Sequence, residues 1–200
     1  MGQSRRVLGF SPLTFAGAIG LGVYLSLSLT IANGWQNSAF DLEGKQVDPL
    51  EMARGKVTVL VFVRTDCPIS NRYAPLIQQL GERFASKTSF WLVYPSGKES
   101  ADLIRKHDDE FGYKLPALRD PQRVLVKRSQ AQITPEAAVF DATRRLIYHG
   151  RIDNLYEDFG HARKAATSHE LINAIEAAIS GKNLPATPTP AIGCYISDLE

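Results

Sequence analysis

The chain has 200 residues, 44% hydrophobic and 22% charged, enough apolar material for a core and unlike a disordered polymer. Lys+Arg 23 against Asp+Glu 21 leaves a net charge of +2, without the basic excess of a dedicated nucleic-acid binder. Two cysteines exclude a four-thiolate zinc site and a disulfide-dense scaffold; they leave one disulfide, or one reactive thiol and one bystander.

The N-terminus differs from the rest. Arg5 and Arg6 precede a stretch with no charged residue before Asp41, and its apolar heart runs from Phe10 to Ile31. As a helix rising about 1.5 Å per residue, that run is long enough to span a hydrocarbon core. It also has the charged start and apolar middle of a secretory signal, with Thr30-Ile31-Ala32 as a small-residue cleavage site. The apolar run exceeds the usual signal core, which favours an uncleaved anchor over a removed signal; a buried soluble helix is the remaining alternative. In either membrane reading the arginines hold the N-terminus in the cytoplasm and the rest is exported, where a disulfide is permitted. The expected organisation is a signal anchor or signal peptide over 1–32, one domain over 33–181 and a proline-rich tail over 182–200.

In chain order, Ala39 to Val47 alternates around Gly44 and reads as a short hairpin. Val57 to Val63 is a nearly continuous β-branched run, the pattern of a strand buried on both faces. Tyr73 to Ser86 carries Leu76, Ile77, Leu80 and Phe84 as a helical stripe, with Pro75 placed to restrict its start or kink it. A strand over Ser89–Tyr94, a helix over Ala101–Phe111 and a short helix over Pro121–Ser129 follow. Ala137–Asp141 and Arg145–His149 form an antiparallel hairpin. Ser168–Ser180 is a closing helix with Ser168 and Glu170 at its start, Leu171, Ile172, Ile175 and Ile179 inward, and Gly181 at its end. Leu184 to Pro190 is extended. This order predicts an α/β domain: a mixed sheet covered on both faces, preceded by one N-terminal hydrophobic helix.

The sharpest chemical feature is Thr65-Asp66-Cys67-Pro68-Ile69-Ser70, between the buried strand and the helix. This places Cys67 at the C-terminal edge of the sheet, where α/β proteins build sites. It also places it at a helix N-terminus, whose N–H groups and dipole favour thiolate, the nucleophilic form. The alternative is a small buried cysteine at a tight turn, inert as many free cysteines are.

Val59 to Leu80, with this turn at its centre, resembles the active-site region of thioredoxin-like redoxins. In that fold a Cys-x-x-Cys pair opens a helix that commonly carries a kinking proline. Ile133-Thr134-Pro135 before the strand Ala137–Phe140 is similar to the segment carrying the family's cis-proline, which faces the active cysteine. Leu115 to Pro121 is similar to the segment before the third helix in exported redoxins. The resemblance covers residues 39 to 180 and implies a thioredoxin-like fold and thiol–disulfide chemistry. Cys67 is then the nucleophile that attacks a substrate disulfide, Ser70 and the helix N-terminus stabilise its thiolate, and Pro135 shapes the groove that receives the partner.

Two departures follow. Ser70 stands where the family has its resolving cysteine, so Cys67 has no local disulfide partner. In peroxiredoxins, which share the fold, a threonine lies three positions before the nucleophile; Thr65 lies two before Cys67. Arg64 or Arg119 is a candidate to stabilise an anion, but solvated charges are the simpler expectation. Cys194 follows the tail, and an exposed free thiol in an exported protein invites pairing. At up to about 3.3 Å per residue, the chain from Leu184 to Cys194 is long enough to return to Cys67. Cys194 is therefore a candidate resolving cysteine; an inert cysteine or a disulfide between tails are the alternatives.

His107 is expected on a polar, solvated helix face, His149 at a strand end, and His161 and His169 around a polar stretch. Asp153, Glu157 and Asp158 read as a solvated acidic loop. One thiolate and an unplaced histidine make a poor soft-metal site, so no cofactor and no metal are expected. The sequence thus predicts an exported thiol–disulfide oxidoreductase, anchored at the membrane or secreted if the leader is cleaved. Its partner would be a protein or small-molecule thiol or disulfide, not a nucleic acid. A peroxiredoxin-like thiol peroxidase and a non-catalytic redoxin-fold module binding a partner or copper are the competing readings.

Overall fold

Val57–Phe62, the strand β3, is buried at every residue because it is covered on all four sides. The computed structural model describes residues 39–182 and 189–199. The predicted membrane helix and most of the proline-rich stretch therefore lie outside the described residues. Among the described residues no helix is long and apolar enough to cross a membrane.

The chain begins with the hairpin β1 (Ala39–Phe40) and β2 (Gln46–Val47), in the register Ala39 opposite Val47. A short helix α1 (Pro49–Met52) leads to β3. The helix α2 (Pro68–Phe84), β4 (Thr88–Tyr94), α3 (Ala101–Phe111), β5 (Ala117–Arg119) and α4 (Val124–Ser129) follow. Then come β6 (Ile133–Thr134), β7 (Glu136–Phe140), β8 (Leu146–Gly150), a small hairpin β9 (Tyr156–Asp158) and β10 (His161–Ala162), and α5 (Glu170–Ile179). The described tail carries β11 (Cys194–Tyr195) and a final 3-10 turn, Ile196–Leu199.

Seven strands form one mixed sheet in the order β2-β1-β5-β4-β3-β7-β8. β3 runs parallel to β4 and antiparallel to β7, so Leu60 lies between Trp91 and Ala138. Strand alternation then splits the core. Val59 and Val61 face Ala74 and Ile77 of α2, Ile104 of α3 and Leu171 and Ile175 of α5. Leu60 and Phe62 face Leu50 of α1, Leu125 of α4 and Ile196 of the tail. The predicted mixed sheet covered on both faces is what the chain builds.

Several boundaries move, each for a local reason. α2 starts at Pro68, not Tyr73: a proline at the first helical position loses no hydrogen bond, and Ile69 and Ser70 are already buried. Pro75 stays inside it. α4 starts at Val124 because the Asp120 carboxylate takes the N–H groups of Val124 at 2.7 Å and Val126 at 3.0 Å, leaving Pro121–Arg123 as a turn. α5 starts at Glu170; the Ser168 hydroxyl donates to Glu170 Oε1 at 2.7 Å instead of capping the backbone. α3 has its predicted bounds, closed by Ser100 Oγ accepting from Leu103 N and by Gly112 at φ 74. The three residues of β5 were not predicted as a strand; a run that short has no readable period.

Candidate functional site

The site lies where β3 ends. Five residues after Phe62 the chain reaches Cys67, the N-cap of α2, with φ −90 and ψ 110. Its sulfur accepts from Ser70 N at 3.5 Å, and its thiol donates to the Thr134 carbonyl at 3.1 Å. Thr134 precedes Pro135, and the peptide bond between them is cis. Cys67 is 0% exposed. The sequence reading thus placed Cys67, Ser70 and Pro135 in one neighbourhood, and the fold brings them there. Ser70 Oγ, also fully buried, lies beside the sulfur without a well-formed hydrogen bond of its own.

The tail completes the site. β11 pairs antiparallel with β6, setting Cys194 opposite Thr134 and Tyr195 opposite Ile133. Thr134 Oγ1 donates to the Cys194 carbonyl at 3.3 Å, and Ile196 N donates to the Gln132 carbonyl at 2.9 Å. Gly193 is required here because a Cβ on it would stand 2.0 Å from the Thr134 carbonyl oxygen. Upstream, Thr189 is pinned to Gly150, whose φ of 147 and missing Cβ leave room for the Thr189 carbonyl. The result sets Cys194 opposite Thr134, whose carbonyl oxygen lies 3.1 Å from the Cys67 sulfur, and packs Cys194 against the apolar cluster that contains Cys67. Both are free thiols, Cys67 buried and Cys194 partly exposed.

This contact separates the two thiols electrically. Burial pushes the Cys67 thiol up, but hydrogen bonds from Cys194 and Ser70 outweigh it and hold the thiol below its ordinary range. Cys194 goes the other way: burial and its hydrogen bond to a neighbour that takes the negative charge raise it, against a smaller pull from Arg64.

The loop beneath the cysteine is held by groups that the sequence reading assigned to solvent. His107 is 4% exposed, not solvated: its Nε2 donates to Asn71 Oδ1 at 2.9 Å, while Asn71 Nδ2 donates to the Thr65 carbonyl at 3.2 Å. The other ring nitrogen meets Tyr94 OH at 2.9 Å, and that hydroxyl also bonds Asp108 at 2.8 Å. Burial lowers the His107 pKa and raises that of Asp108 to about 6. Arg64 is not a free cation either: it grips Asp66 side-on at 2.9 and 2.8 Å and reaches the Tyr195 carbonyl. Arg119 Nε donates to the Glu99 carbonyl. Asp153, 5% exposed, accepts from Tyr73 OH and Leu155 N, whereas Glu157 is exposed and pairs with Arg163.

Sequence reasoning missed Glu99 altogether. Its carboxylate is 5% exposed and accepts from Thr65 N at 2.7 Å, its other oxygen has no partner, and burial raises its pKa. It borders a cleft of about 310 Å³ shared with Arg64, Asp66 and Ser96. A single glutamate in a Gly/Lys/Ser loop gives no sequence signal for this. His149 bonds Glu136 at 3.4 Å, and His161 is exposed. Among the described residues no cluster of three or more His, Cys, Asp or Glu side chains could hold a metal.

No protein-family model matches the chain, and no curated protein does. Solved structures do. An uncharacterized conserved protein from Geobacillus kaustophilus is 24% identical with a TM-score of 0.67, over 80% of this chain and 86% of that one. A hypothetical protein from Sinorhizobium meliloti is 24% identical with a TM-score of 0.66, over 80% and 88%. A secreted Mycobacterium tuberculosis disulfide oxidoreductase homologous to E. coli DsbE is 18% identical with a TM-score of 0.50, over 71% and 96%. With an exposed lipoprotein thioredoxin from Streptococcus pneumoniae also matching at a TM-score of 0.52 and 20% identity, over 70% of this chain and 97% of that one, the chain has the thioredoxin-like fold.

Proposed function

We propose that this thioredoxin-fold chain is a thiol–disulfide oxidoreductase whose redox couple is Cys67 and Cys194. The observation that carries this reading is the meeting of both cysteines at Thr134, which pairs with Cys194 across β6 and β11 and accepts the Cys67 thiol at its carbonyl. Loss of two electrons and two protons from the dithiol to an acceptor joins the sulfurs. An external dithiol returns those electrons and protons and becomes a disulfide. Cys67 is the nucleophile within the chain, because the helix N-terminus, Ser70 and the Cys194 donor favour its thiolate. Cys194 thereby supplies the second sulfur that Ser70 does not, and Pro135 lines the face on which the tail docks.

The compartment belongs to the same proposal. Arg5 and Arg6 before the apolar run of residues 10–31 would place the domain on the exported side, anchored or released, where such a disulfide persists. The bound state of Arg64 supports the disulfide reading over a peroxidase, since its guanidinium is already engaged by Asp66. The test is direct. The reduced full chain is incubated with glutathione disulfide, quenched and mapped by peptide mass. A Cys67–Cys194 linkage, lost together with thiol exchange in Cys67→Ser, is the expected result; two thiols that stay unlinked in every redox buffer would sink the reading.

A further inference from the structure

The Cys67–Cys194 couple, taken as proposed above, has two sulfurs that an external thiol could attack, and their surroundings differ. Thiol–disulfide exchange proceeds through a mixed disulfide, and access decides which sulfur is taken. The incoming thiolate approaches in line, on the side of the attacked sulfur opposite the leaving one. For attack at Cys67 that side is the protein interior: Cys67 is 0% exposed and packs with Val63, Ile69 and Ala137, and the Thr134 carbonyl lies against its sulfur. Cys194, in contrast, is only partly buried, on a two-residue strand of the tail beside Tyr195, which is 56% exposed.

We propose that the external thiol enters at Cys194 and that Cys67 is the leaving group, so that the tail cysteine, not the helix cysteine, forms the mixed disulfide with the partner. The substrate is a thiol carried by a small molecule or an exposed chain segment. Its thiolate bonds to the Cys194 sulfur, the Cys67–Cys194 bond breaks, and the electron pair leaves on Cys67. A second thiol of the same substrate, as its thiolate, then attacks the substrate sulfur of the mixed disulfide and releases Cys194. The substrate ends as a disulfide and the chain as a dithiol, with two electrons transferred. Departure onto Cys67 is favoured by the same groups that hold its thiolate: Ser70 N at 3.5 Å and the start of α2. The positions of attack and departure thus follow from the order in which tail, sulfur and helix are stacked.

The experiment uses the full chain, oxidised with diamide to the Cys67–Cys194 disulfide and confirmed by peptide mapping. It is mixed with reduced glutathione, and freed thiols are alkylated with N-ethylmaleimide at short, increasing times. The earliest products are mapped. Glutathione on Cys194 with the alkyl group on Cys67, in about tenfold excess over the reverse, is the expected result. Glutathione on Cys67, or equal amounts on both, overturns the assignment of the entry sulfur but leaves the redox couple standing. If diamide forms no Cys67–Cys194 linkage, the couple itself fails, and this inference with it.

Discussion

Cys194 and Thr134, sixty residues apart in the chain, face each other across a two-residue antiparallel ladder, and the Thr134 carbonyl also accepts the Cys67 thiol. One residue on β6 therefore aligns both cysteines. It binds the tail through backbone pairing and its hydroxyl, and the helix cysteine through its carbonyl. The approach of the two thiols depends on β6 and β11 staying paired, and that pairing is open to test.

Gly193→Ala attacks the pairing. The added Cβ meets backbone atoms of Thr134 at 2.0 and 2.7 Å, which cannot swing aside as a side chain would. The tail is expected to undock from β6, and because Ile196 then leaves its place against Leu60 and Phe62, the urea midpoint should fall modestly while the seven-stranded sheet persists. Cys67 alkylation should accelerate about tenfold, the effect of weakening the docked tail by ~1.4 kcal/mol. An unchanged alkylation rate would show that the tail does not guard Cys67.

The ionisation of Cys67 should report its neighbour. In the reduced chain its thiolate is expected to form below the ordinary ~8.5, followed by ultraviolet absorbance against pH. Cys194→Ala removes a donor and should move that midpoint up. The linkage has a definite sign. A folded pKa below the unfolded one contributes stability that is fully present above the unfolded value and lost as pH falls through the folded value. Reduced wild type should therefore gain stability with rising pH up to about 8.5, and the raised pKa of Cys194 should reverse the trend above it.

His107→Ala should act through the loop. It leaves the Asn71 carbonyl oxygen and the Tyr94 hydroxyl without their ring partner, at a cost of about 2–3 kcal/mol in urea unfolding. A local readout distinguishes this from general destabilisation: amide exchange at Thr65 to Asn71 should rise more than in the strands β3 and β4. Equal increases everywhere would assign His107 to bulk packing alone.

Asp108, raised to about 6, supplies a second pH effect of opposite sense. Burial makes the folded chain hold this proton more tightly than the unfolded chain, whose carboxyl titrates near ~3.9. Between those values the native state binds more protons, so this group's contribution falls as pH rises from about 4 to about 6. Asp108→Asn should remove that slope from a plot of unfolding free energy against pH. A slope that persists in the variant would assign it to another group.

The difference between what was readable and what was not follows from range. The β-branched run of β3, the helix α3 and the paired segments of β7 and β8 are local patterns, and each appears within a residue of where the sequence placed it. Cys67 at a strand-to-helix turn was readable for the same reason, because the N-cap position is a property of adjacent residues. The start of α2 was hidden behind polar Ser70, Asn71 and Arg72: Ser70 is buried and Asn71 pairs with His107 of α3, and neither is marked by a local pattern. His107 carries no mark separating a solvated imidazole from one enclosed by Tyr94 and Asn71; only the packing of α3 on α2 makes that choice.

By itself the sequence determined the elements, the fold class they allow and the chemistry available to Cys67, because these rest on period, turn chemistry and residue type. It raised the return of Cys194 to Cys67 as one alternative among three, from tail length alone. Tertiary structure decided between proximity and distance. A chain long enough to reach has many places to end, and only the ladder to β6, the close approach allowed by Gly193 and the burial of Ile196 select one. The separation of the two thiols, one lowered and one raised, was decided there too, since it arises from burial and contact that no single stretch of the sequence contains.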